Sequence, residues 1–241
     1  KAGESGNGSK AGNGSEGLIG GGDGGVWAVD TTTGLARWVN TTTGNVVNSA
    51  PSLSRNGQTL YIGTVTSNIT NRTNKPKTER VEGSGTWTLH ALDTVTGQSR
   101  ASYTIPDPFA TDAGDFRGSA WVWPNATTPA NMDVYATAGD RVYAFTDTGA
   151  AGTLPIKAGW PAGGYASVVG AGTPLYLPAT NSVYTGGNNG NLYRINAANG
   201  TIASSFYLNT TGAVSDLTYD VTRNAFYLTV DNMLKSVVRD W

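Results

Sequence analysis

The sequence predicts an all-β fold, and three observations lead to that prediction. Short β-rich runs alternate with turns of Gly, Asn and Asp, a pattern typical of antiparallel hairpins. The pattern recurs, and Gly97, Gly149 and Gly200 end three of the turns at intervals of 52 and 51 residues. No stretch shows a sustained 3.6-residue apolar period, so we expect almost no helix. Four antiparallel strands in each unit of this size predict a β-propeller of about five units.

The first two units are predicted from runs of alternating apolar residues. The first unit has predicted strands at residues 18–19, 26–29 and 35–39, and it lacks an obvious first strand. The second unit is the most complete, with predicted strands at residues 50–53, 59–65, 87–92 and 99–105.

The last three units follow without a long interruption. The third has predicted strands at residues 119–123, 133–137, 141–145 and 154–156. The fourth has residues 167–169, then either 175–177 or 183–185, then 192–195 and 202–208. The fifth has residues 214–219, 225–230 and 233–238 but no fourth strand. We therefore expect either that the N-terminal arm closes the ring or that the chain is part of a larger propeller.

Two segments are predicted to lie outside the repeats. Residues 1–17 form an arm rich in Gly, Ser and Asn, which we expect to be held against its own domain or a neighbouring subunit, and residues 18–241 form the propeller. Residues 66–85 carry most of a basic cluster and are expected to form a surface insertion. Together with residues 106–119 and 159–164, this insertion is a candidate partner-binding loop.

The composition excludes several classes of function. The 16 Lys and Arg residues nearly balance the 17 Asp and Glu residues, so no global field favours nucleic acid or an anionic membrane. The chain has no Cys, which rules out disulfides, thiolate metal sites and cysteine nucleophiles. The single histidine, His90, argues against a zinc site or a His-based triad, and we expect an ordinary strand residue there. No apolar run approaches the length of a membrane span.

Asn-x-Ser/Thr sequons point to export. An Asn- and Thr-rich chain produces some sequons by chance, and the candidate glycosylation sites are Asn7, Asn13, Asn40, Asn68, Asn71, Asn125 and Asn209. Because the sequence begins at Lys1 without a Met or a leader, we expect a processed or excised product. Glycans at these sites would place the protein outside the cytoplasm, so we predict an extracellular or cell-surface protein.

The repeated motif carries a family resemblance. The recurring form is an aromatic residue, any residue, a hydrophobic residue, Asp or Asn, two further residues and a Thr-Gly or Asn-Gly turn. It stands in the sequence as VWAVDTTTGLARW, LHALDTVTGQSRA and LYRINAANGTIAS. This form resembles the quinoprotein-type (PQQ-repeat) β-propeller, and the repeats cover residues 18–238. The segment NSVYTGGNNGNLYRINAANG is also similar to the propeller of PilY1-like type IV pilus tip adhesins.

The resemblance implies a fold more than an activity. Relatives that bind pyrroloquinoline quinone need a calcium ion, a catalytic Asp and often an adjacent cysteine pair, usually in an eight-bladed propeller. This chain has no Cys and about five units, which implies a non-catalytic relative without a cofactor. Calcium is the one ion we consider, because Asp107, Asp112 and Asp115 cluster in one loop, although the EF-hand spacing is absent.

Other conspicuous residues have structural explanations. Asp30, Asp93 and Asn196 come just before turns, and their side chains are expected to cap those turns. Arg117, Trp121 and Trp123 form a candidate aromatic platform for a sugar, but we favour packing between units for the aromatic residues.

We therefore predict a non-catalytic extracellular binding or structural propeller that presents loops to a protein or glycan at the cell surface, as an adhesin or an appendage component. Self-association is expected through the N-terminal arm, which would add a strand to a neighbouring sheet. One alternative is a fragment of a quinoprotein dehydrogenase-like or polysaccharide-active propeller enzyme whose missing blades carry the chemistry. Another is an assembly-factor scaffold similar to the envelope lipoprotein propellers.

Overall fold

Antiparallel strands account for nearly all regular structure in the described part of the chain. The computed structural model describes residues 10–11, 16–20, 25–41, 49–66, 86–105, 118–214, 217–231 and 233–239. Within these residues the only helical element is a 3-10 turn at Pro178–Thr180, as the sequence predicts. No helix in these ranges is long and apolar enough to cross a membrane.

Unit 1 comprises Lys1–Phe116 and Ala151–Thr153, and its described residues form two sheets. Sheet 1 has the strand order β1 (Lys10–Ala11), β2 (Glu16–Gly20), β3 (Val26–Asp30) and β4 (Ala36–Asn40). A short strand, β5 (Ser49–Ala50), follows it. Sheet 2 contains β6 (Ser52–Leu53), β7 (Thr59–Thr66), β8 (Thr86–Asp93) and β9 (Ser99–Ile105).

Unit 2 comprises Arg117–Ala150 and Leu154–Trp241, and its described residues form three sheets. After the short β10 (Gly118–Ser119), sheet 3 contains β11 (Trp121–Pro124), β12 (Met132–Ala138) and β13 (Arg141–Asp147). The next strand along the chain, β14 (Gly152–Thr153), belongs to unit 1 and pairs in parallel with β9, whereas β15 (Tyr165–Ser167) completes sheet 3.

The last two sheets follow the order of the chain. Sheet 4 contains β16 (Leu175–Leu177), β17 (Ser182–Gly186), β18 (Asn191–Asn196) and β19 (Ile202–Tyr207). Sheet 5 contains β20 (Thr218–Asp220), β21 (Ala225–Val230) and β22 (Met233–Val238). Both open alternatives for the fourth unit are therefore strands, with 175–177 first and 183–185 within the second.

Two predicted strands of the third and fourth units were wrong. Residues 154–156 are not the fourth strand of sheet 3, because Pro155 has no N–H to donate and Ile156 makes only an isolated bridge to Phe145. That position belongs to β15. Residues 167–169 do not begin sheet 4, since Ser167 ends β15 and Val168 N donates to Asp140 O at 2.8 Å.

The predicted arm contributes to sheet 1. β1 and the start of β2 lie within residues 1–17, and Lys10 pairs with Ile19. β1 is therefore the first strand of the first unit, which the sequence did not reveal. The predicted boundary at residue 17 falls inside β2. Residues 1–9 and 12–15, and the predicted insertion beyond Thr66 as far as residue 85, lie outside the described residues.

Hydrophobic clusters lie between successive sheets within each unit. In unit 1, Val26 and Ala28 of sheet 1 join Leu60, Ile62 and Leu92 of sheet 2. In unit 2, one cluster joins sheets 3 and 4 and a second joins sheets 4 and 5. Because side chains alternate across a strand, each middle sheet contributes residues to both of its faces. This face-to-face arrangement is what the propeller prediction requires.

Candidate functional site

The turns after the third strands of three sheets are capped by the side chain that precedes them. Asp93 Oδ1 accepts hydrogen bonds from the backbone N of Val95 at 3.0 Å and of Thr96 at 2.8 Å. Asp30 and Asn196 accept from the backbone N two residues later, at 2.9 and 2.8 Å. These backbone hydrogen bonds lower the pKa of Asp93 and of Asp30, because they stabilise the ionised carboxylate. Asp30, Asp93 and Asn196 therefore cap their turns, as predicted from the sequence.

A tryptophan of the preceding sheet docks on two of these turns. Trp38, in β4, donates from Nε1 to Thr94 O at 2.8 Å. Trp160, in the segment before β15, donates from Nε1 to Ala197 O at 2.9 Å. We call these the first docked turn (residues 93–97, with Trp38) and the second docked turn (residues 196–200, with Trp160).

The glycine that ends each docked turn lies directly under the indole. Gly97 and Gly200 have φ angles of 72° and 71°, in the left-handed region. A Cβ on Gly97 would lie 2.4 Å from an atom of Trp38, and a Cβ on Gly200 would lie 2.8 Å from an atom of Trp160. Glycine is therefore required at each of these positions for two reasons, the left-handed backbone angle and the close contact with the indole.

A buried ion pair lies on the face of sheet 3 that packs against sheet 4. Lys157 Nζ donates to Asp133 Oδ2 at 2.5 Å. The other oxygen of Asp133 accepts from Asn125 Nδ2 at 2.8 Å and from Thr146 Oγ1 at 3.1 Å. Burial of a carboxylate is costly unless it is paired and hydrogen-bonded, and both conditions are met here. The arrangement fixes the start of β12 and does not expose a reactive group.

Aromatic rings surround this ion pair. The ring of Tyr135 stacks on that of Tyr176 with centroids 5.3 Å apart, and Trp123 lies 6.3 Å from Tyr176. Burial, and secondarily the charge of Asp133, raises the pKa of Tyr135. The Tyr135 hydroxyl and the Trp121 Nε1 are buried without a hydrogen-bond partner.

The candidate sugar platform is a packing surface in this structure. Trp121 and Trp123 are partly buried against the cluster between sheets 3 and 4. Arg117 lies outside the described residues. The two indoles are therefore arranged for contact between sheets, as we favoured from the sequence.

His90 lies within β8 between two hydroxyl groups. Its Nε2 is 3.0 Å from Thr64 Oγ1, and its Nδ1 is 3.1 Å from Ser99 Oγ. A neutral imidazole has one donor and one acceptor nitrogen, and rotating hydroxyls satisfy both. This is the ordinary strand environment that the sequence predicts.

The predicted calcium site falls outside the described part of the chain. Asp107, Asp112 and Asp115 all lie there, so calcium binding stays a prediction. Among the residues that the structure describes, no group of three or more His, Asp or Glu side chains is close enough to hold a metal ion.

Three of the seven candidate glycosylation sites, Asn40, Asn125 and Asn209, are described residues. Asn40 is buried and its Nδ2, the atom that would carry a glycan, donates to Gly97 O at 2.6 Å. Asn125 Nδ2 is engaged by Asp133. Asn209 is exposed, with a φ of 58°. The geometry thus favours Asn209 over the other two, while glycosylation itself stays a prediction; Asn7, Asn13, Asn68 and Asn71 lie outside the described residues.

The predicted loop at residues 159–164 is anchored at both ends. Trp160 and Gly164 are buried, whereas residues 161–163 between them are exposed. Gly164 N donates to Pro161 O at 2.7 Å, which closes the exposed part into a tight turn. With the exposed Gly159, this leaves four exposed residues of the loop for contact with a partner. Residues 106–117 of the second predicted loop lie outside the described residues.

The largest exposed apolar group on a complete sheet of unit 2 is on β19. Ile202, Phe206 and Tyr207 are 45%, 37% and 53% exposed. β19 is the last strand of sheet 4, and no described strand pairs with its outer edge. We call Ile202, Phe206 and Tyr207 with this edge the β19 surface. It combines a strand edge that no described strand covers with aromatic side chains, which are enriched in protein interfaces.

A comparison with protein families identifies the repeat. The PQQ-repeat family model described as outer membrane protein assembly factor BamB matches residues 11–206. The chain belongs to this family. The match covers sheets 1–4 almost completely, so the PQQ-repeat family recognised in the sequence motif is confirmed. Similarity to pilus tip adhesins stays a prediction.

Solved structures confirm the β-propeller fold. The chain resembles the computationally designed Ika8 protein (TM-score 0.63, 13% identity, 95% of this chain and 57% of that one). It also resembles the β-propeller domain of Myceliophteria thermophila Cps50 (Swd1) (0.62, 15%, 98% and 66%) and BamB from Moraxella catarrhalis (0.50, 17%, 94% and 70%). The chain thus spans less than two thirds of the first two structures. No curated protein matches the sequence.

The docked tryptophans and the ion pair were missed in the sequence. Trp38 follows Gly34 by four residues, but Ala101 and Ser204 hold the same place after Gly97 and Gly200, so aligning the repeats would not have marked a tryptophan there. No spacing links Asp133 to Lys157, because the two residues come together only through the packing of separate segments.

Proposed function

We propose that this propeller is a non-catalytic, protein-binding scaffold and that the β19 surface receives the partner. The single observation that carries the proposal is the exposure of Ile202, Phe206 and Tyr207 on the outer edge of a complete sheet. Membership of a family described as an assembly factor supports a scaffold function.

The chemistry of the β19 surface indicates the kind of partner. Its side chains are apolar or aromatic, and the neighbouring cation Lys235 is occupied, since its Nζ donates to Leu208 O at 2.7 Å. Aromatic anchors next to an open strand edge suit an apolar segment of a protein, which gains both side-chain burial and backbone hydrogen bonds.

The setting that we propose is the cell surface or an extracellular appendage, with the chain acting as an adhesin or a structural component. The exposed sequon at Asn209, two residues beyond Tyr207, supports this setting, because a glycan there would border the β19 surface without covering it. No cofactor is needed for this function.

The test uses a photo-reactive residue in place of Tyr207, with Thr222 as the matched position on an exposed turn of sheet 5. Surface proteins of the source cells are offered to both variants. We expect one dominant adduct at position 207 and none at 222. The purified partner should then bind the chain at least tenfold more weakly after Phe206→Asp. Equal labelling at both positions, or unchanged affinity after Phe206→Asp, would contradict the proposal.

The alternative is a fragment of a quinoprotein dehydrogenase-like or polysaccharide-active enzyme. It is favoured by one observation, namely that the chain spans only 57% and 66% of two propellers that it resembles. Titration with pyrroloquinoline quinone and Ca²⁺, followed by the fluorescence of the seven Trp residues, separates the two proposals. We expect no saturable change; saturation at micromolar cofactor would favour the enzyme.

A further inference from the structure

Three Asn-Gly pairs lie in turns of the described residues, namely Asn56-Gly57, Asn189-Gly190 and Asn199-Gly200. In such a pair the backbone nitrogen of the second residue can attack the side-chain carboxamide of the first, because glycine has no Cβ to obstruct the approach. The attack needs a backbone nitrogen whose proton is free to leave. The hydrogen bonds of each glycine nitrogen therefore decide which pair can react in the folded chain.

Two of the pairs have a glycine nitrogen that is already engaged. Gly57 N donates to Ser54 O at 2.9 Å, and Gly200 N donates to Asn196 O at 2.8 Å. Gly200 also lies directly under the indole of Trp160. Because these bonds must break before the nitrogen can react, both pairs need a local opening of their turns, and such an opening carries a free-energy cost.

The third pair, Asn189-Gly190, has a free glycine nitrogen. Within the described part of the chain no group accepts a hydrogen bond from Gly190 N, whereas Gly190 O accepts from Leu208 N at 2.8 Å. The Asn189 carboxamide is held beside the turn, since its Nδ2 donates to Tyr193 OH at 2.9 Å and its Oδ1 accepts from Asn191 N at 3.3 Å. The side-chain oxygens of the other two asparagines accept comparable bonds from the backbone, so the glycine nitrogen is what distinguishes the pairs.

We propose that Asn189 is a site of spontaneous deamidation in the folded chain, whereas Asn56 and Asn199 are protected. Gly190 N gives up its proton to hydroxide and bonds to Cγ of Asn189. The Cγ–Nδ2 bond breaks, and the side-chain nitrogen takes a proton from water and leaves as ammonia. Water then opens the cyclic imide at either of its carbonyl groups, which leaves aspartate or isoaspartate at position 189. The reaction consumes only water and adds one negative charge.

Isoaspartate would alter the hairpin between β17 and β18, because it adds a methylene group to the main chain. The turn is closed by Gly187 N, which donates to Asn191 O at 2.8 Å. Gly190 packs so closely against Thr210 O that an added Cβ would overlap it. A longer main chain cannot keep both contacts, so we expect the isoaspartyl form to have a less stable sheet 4.

Tandem mass spectrometry of peptides from the full chain, incubated at mildly alkaline pH with and without urea, measures the rate at each pair. Without urea we expect Asn189 to deamidate at least tenfold faster than Asn56 and Asn199. In urea, which opens all three turns, the three rates should become similar. A rate at Asn189 no higher than at the other two in the folded chain overturns the proposal. A tenfold lead that persists in urea also overturns it, because the difference would then come from the neighbouring sequence and not from the hydrogen bonds.

Two matched variants connect the modification with its effect on stability. Asn189→Gln removes the reactive pair, since the longer side chain would have to close a larger ring, and Asn199→Gln removes a protected pair. After ageing, the unmodified chain and Asn199→Gln should each show an additional unfolding transition at lower urea than in their fresh samples, in proportion to isoaspartate at position 189. Aged Asn189→Gln should not show it. The same transition in aged Asn189→Gln would overturn the proposed effect on sheet 4, because the destabilising change would then lie elsewhere.

Discussion

The two docked turns use one motif and stabilise it in different ways. In the first, the half-buried Trp38 meets a turn that is tied by polar contacts, including the bond from Asn40 Nδ2 to Gly97 O at 2.6 Å. In the second, Trp160 is 6% exposed and its ring lies 6.1 Å from that of Tyr135. The repeat therefore specifies the turn, whereas residues outside it supply the indole and decide how much the contact contributes to stability.

The capping residues of the two docked turns also stabilise their turns in different ways. Asp93 carries a charge and accepts three hydrogen bonds, two from the backbone and one from Thr96 Oγ1 at 2.9 Å. Asn196 is neutral, and its side chain accepts from Ala198 N. Electrostatics thus contribute to the first docked turn, whereas the second depends on burial.

The largest expected effect comes from removing each indole. Trp160→Ala should lower the free energy of unfolding by about 4 kcal/mol, because a large buried aromatic is lost, and Trp38→Ala by about 2 kcal/mol because less of it is buried. Urea denaturation of the two variants measures the difference. Equal losses would show that the hydrogen bond to the turn, which both tryptophans make, dominates over burial.

The next effect concerns the turn glycines. Gly34 has a φ of 71°, and a Cβ added to it would meet no atom within 4 Å, so Gly34→Ala isolates the cost of the backbone angle, about 1 kcal/mol. Gly97→Ala and Gly200→Ala add a clash with the indole and should cost about 2–3 kcal/mol. Thermal or urea denaturation of the three variants gives the values. If all three lose the same amount, the indoles move aside freely and docking is loose.

Much of this arrangement could be predicted from the sequence, because it depends on interactions between residues that are close together in the chain. The strands at residues 99–105, 225–230 and 233–238 and the caps at Asp93 and Asn196 follow from short-range turn chemistry and alternation. The PQQ-repeat motif then fixes the family, because its spacing recurs from one unit to the next.

What could not be predicted depends on contacts between distant residues. β14 pairs with β9, about 50 residues earlier in the chain, so nothing near Gly152 reveals its sheet. Asp133 and Lys157 meet only after Pro155 has ended the expected strand. The exposed apolar residues of β19 and β22 were recognised as strands, but their exposure depends on which neighbours are present.

A smaller effect is expected in the pH dependence of stability, to which the charged cap Asp93 contributes and the neutral cap Asn196 does not. Hydrogen bonds lower the pKa of Asp93 in the folded protein, so its contribution to stability is present above the pKa of the unfolded chain, about 4, and is lost as pH falls through the folded value. Asp93→Asn should therefore reduce the drop in the urea midpoint between pH 7 and pH 3, and Asn196→Asp should increase it. An unchanged drop in both variants would mean that two other carboxylates control the acid response. These are Asp30, whose pKa is lowered by backbone hydrogen bonds, and Asp220, whose pKa is lowered first by a hydrogen bond from the Arg223 side chain.

The smallest effect has the opposite sign and tests the packing around the second docked turn. The Tyr135 hydroxyl is buried without a hydrogen-bond partner, so Tyr135→Phe removes an unsatisfied polar group and should leave stability unchanged or raise it by about 1 kcal/mol. Tyr176→Phe, on the ring stacked against it, removes a hydrogen bond to Asn181 Oδ1 at 3.1 Å and should cost about 1 kcal/mol. Both substitutions keep the aromatic ring, so their difference measured by urea denaturation reports only the hydroxyls. A loss in Tyr135→Phe as large as that in Tyr176→Phe would mean that a buried water satisfies the Tyr135 hydroxyl, so that the packing around Trp160 includes a hydrogen bond as well as ring contacts.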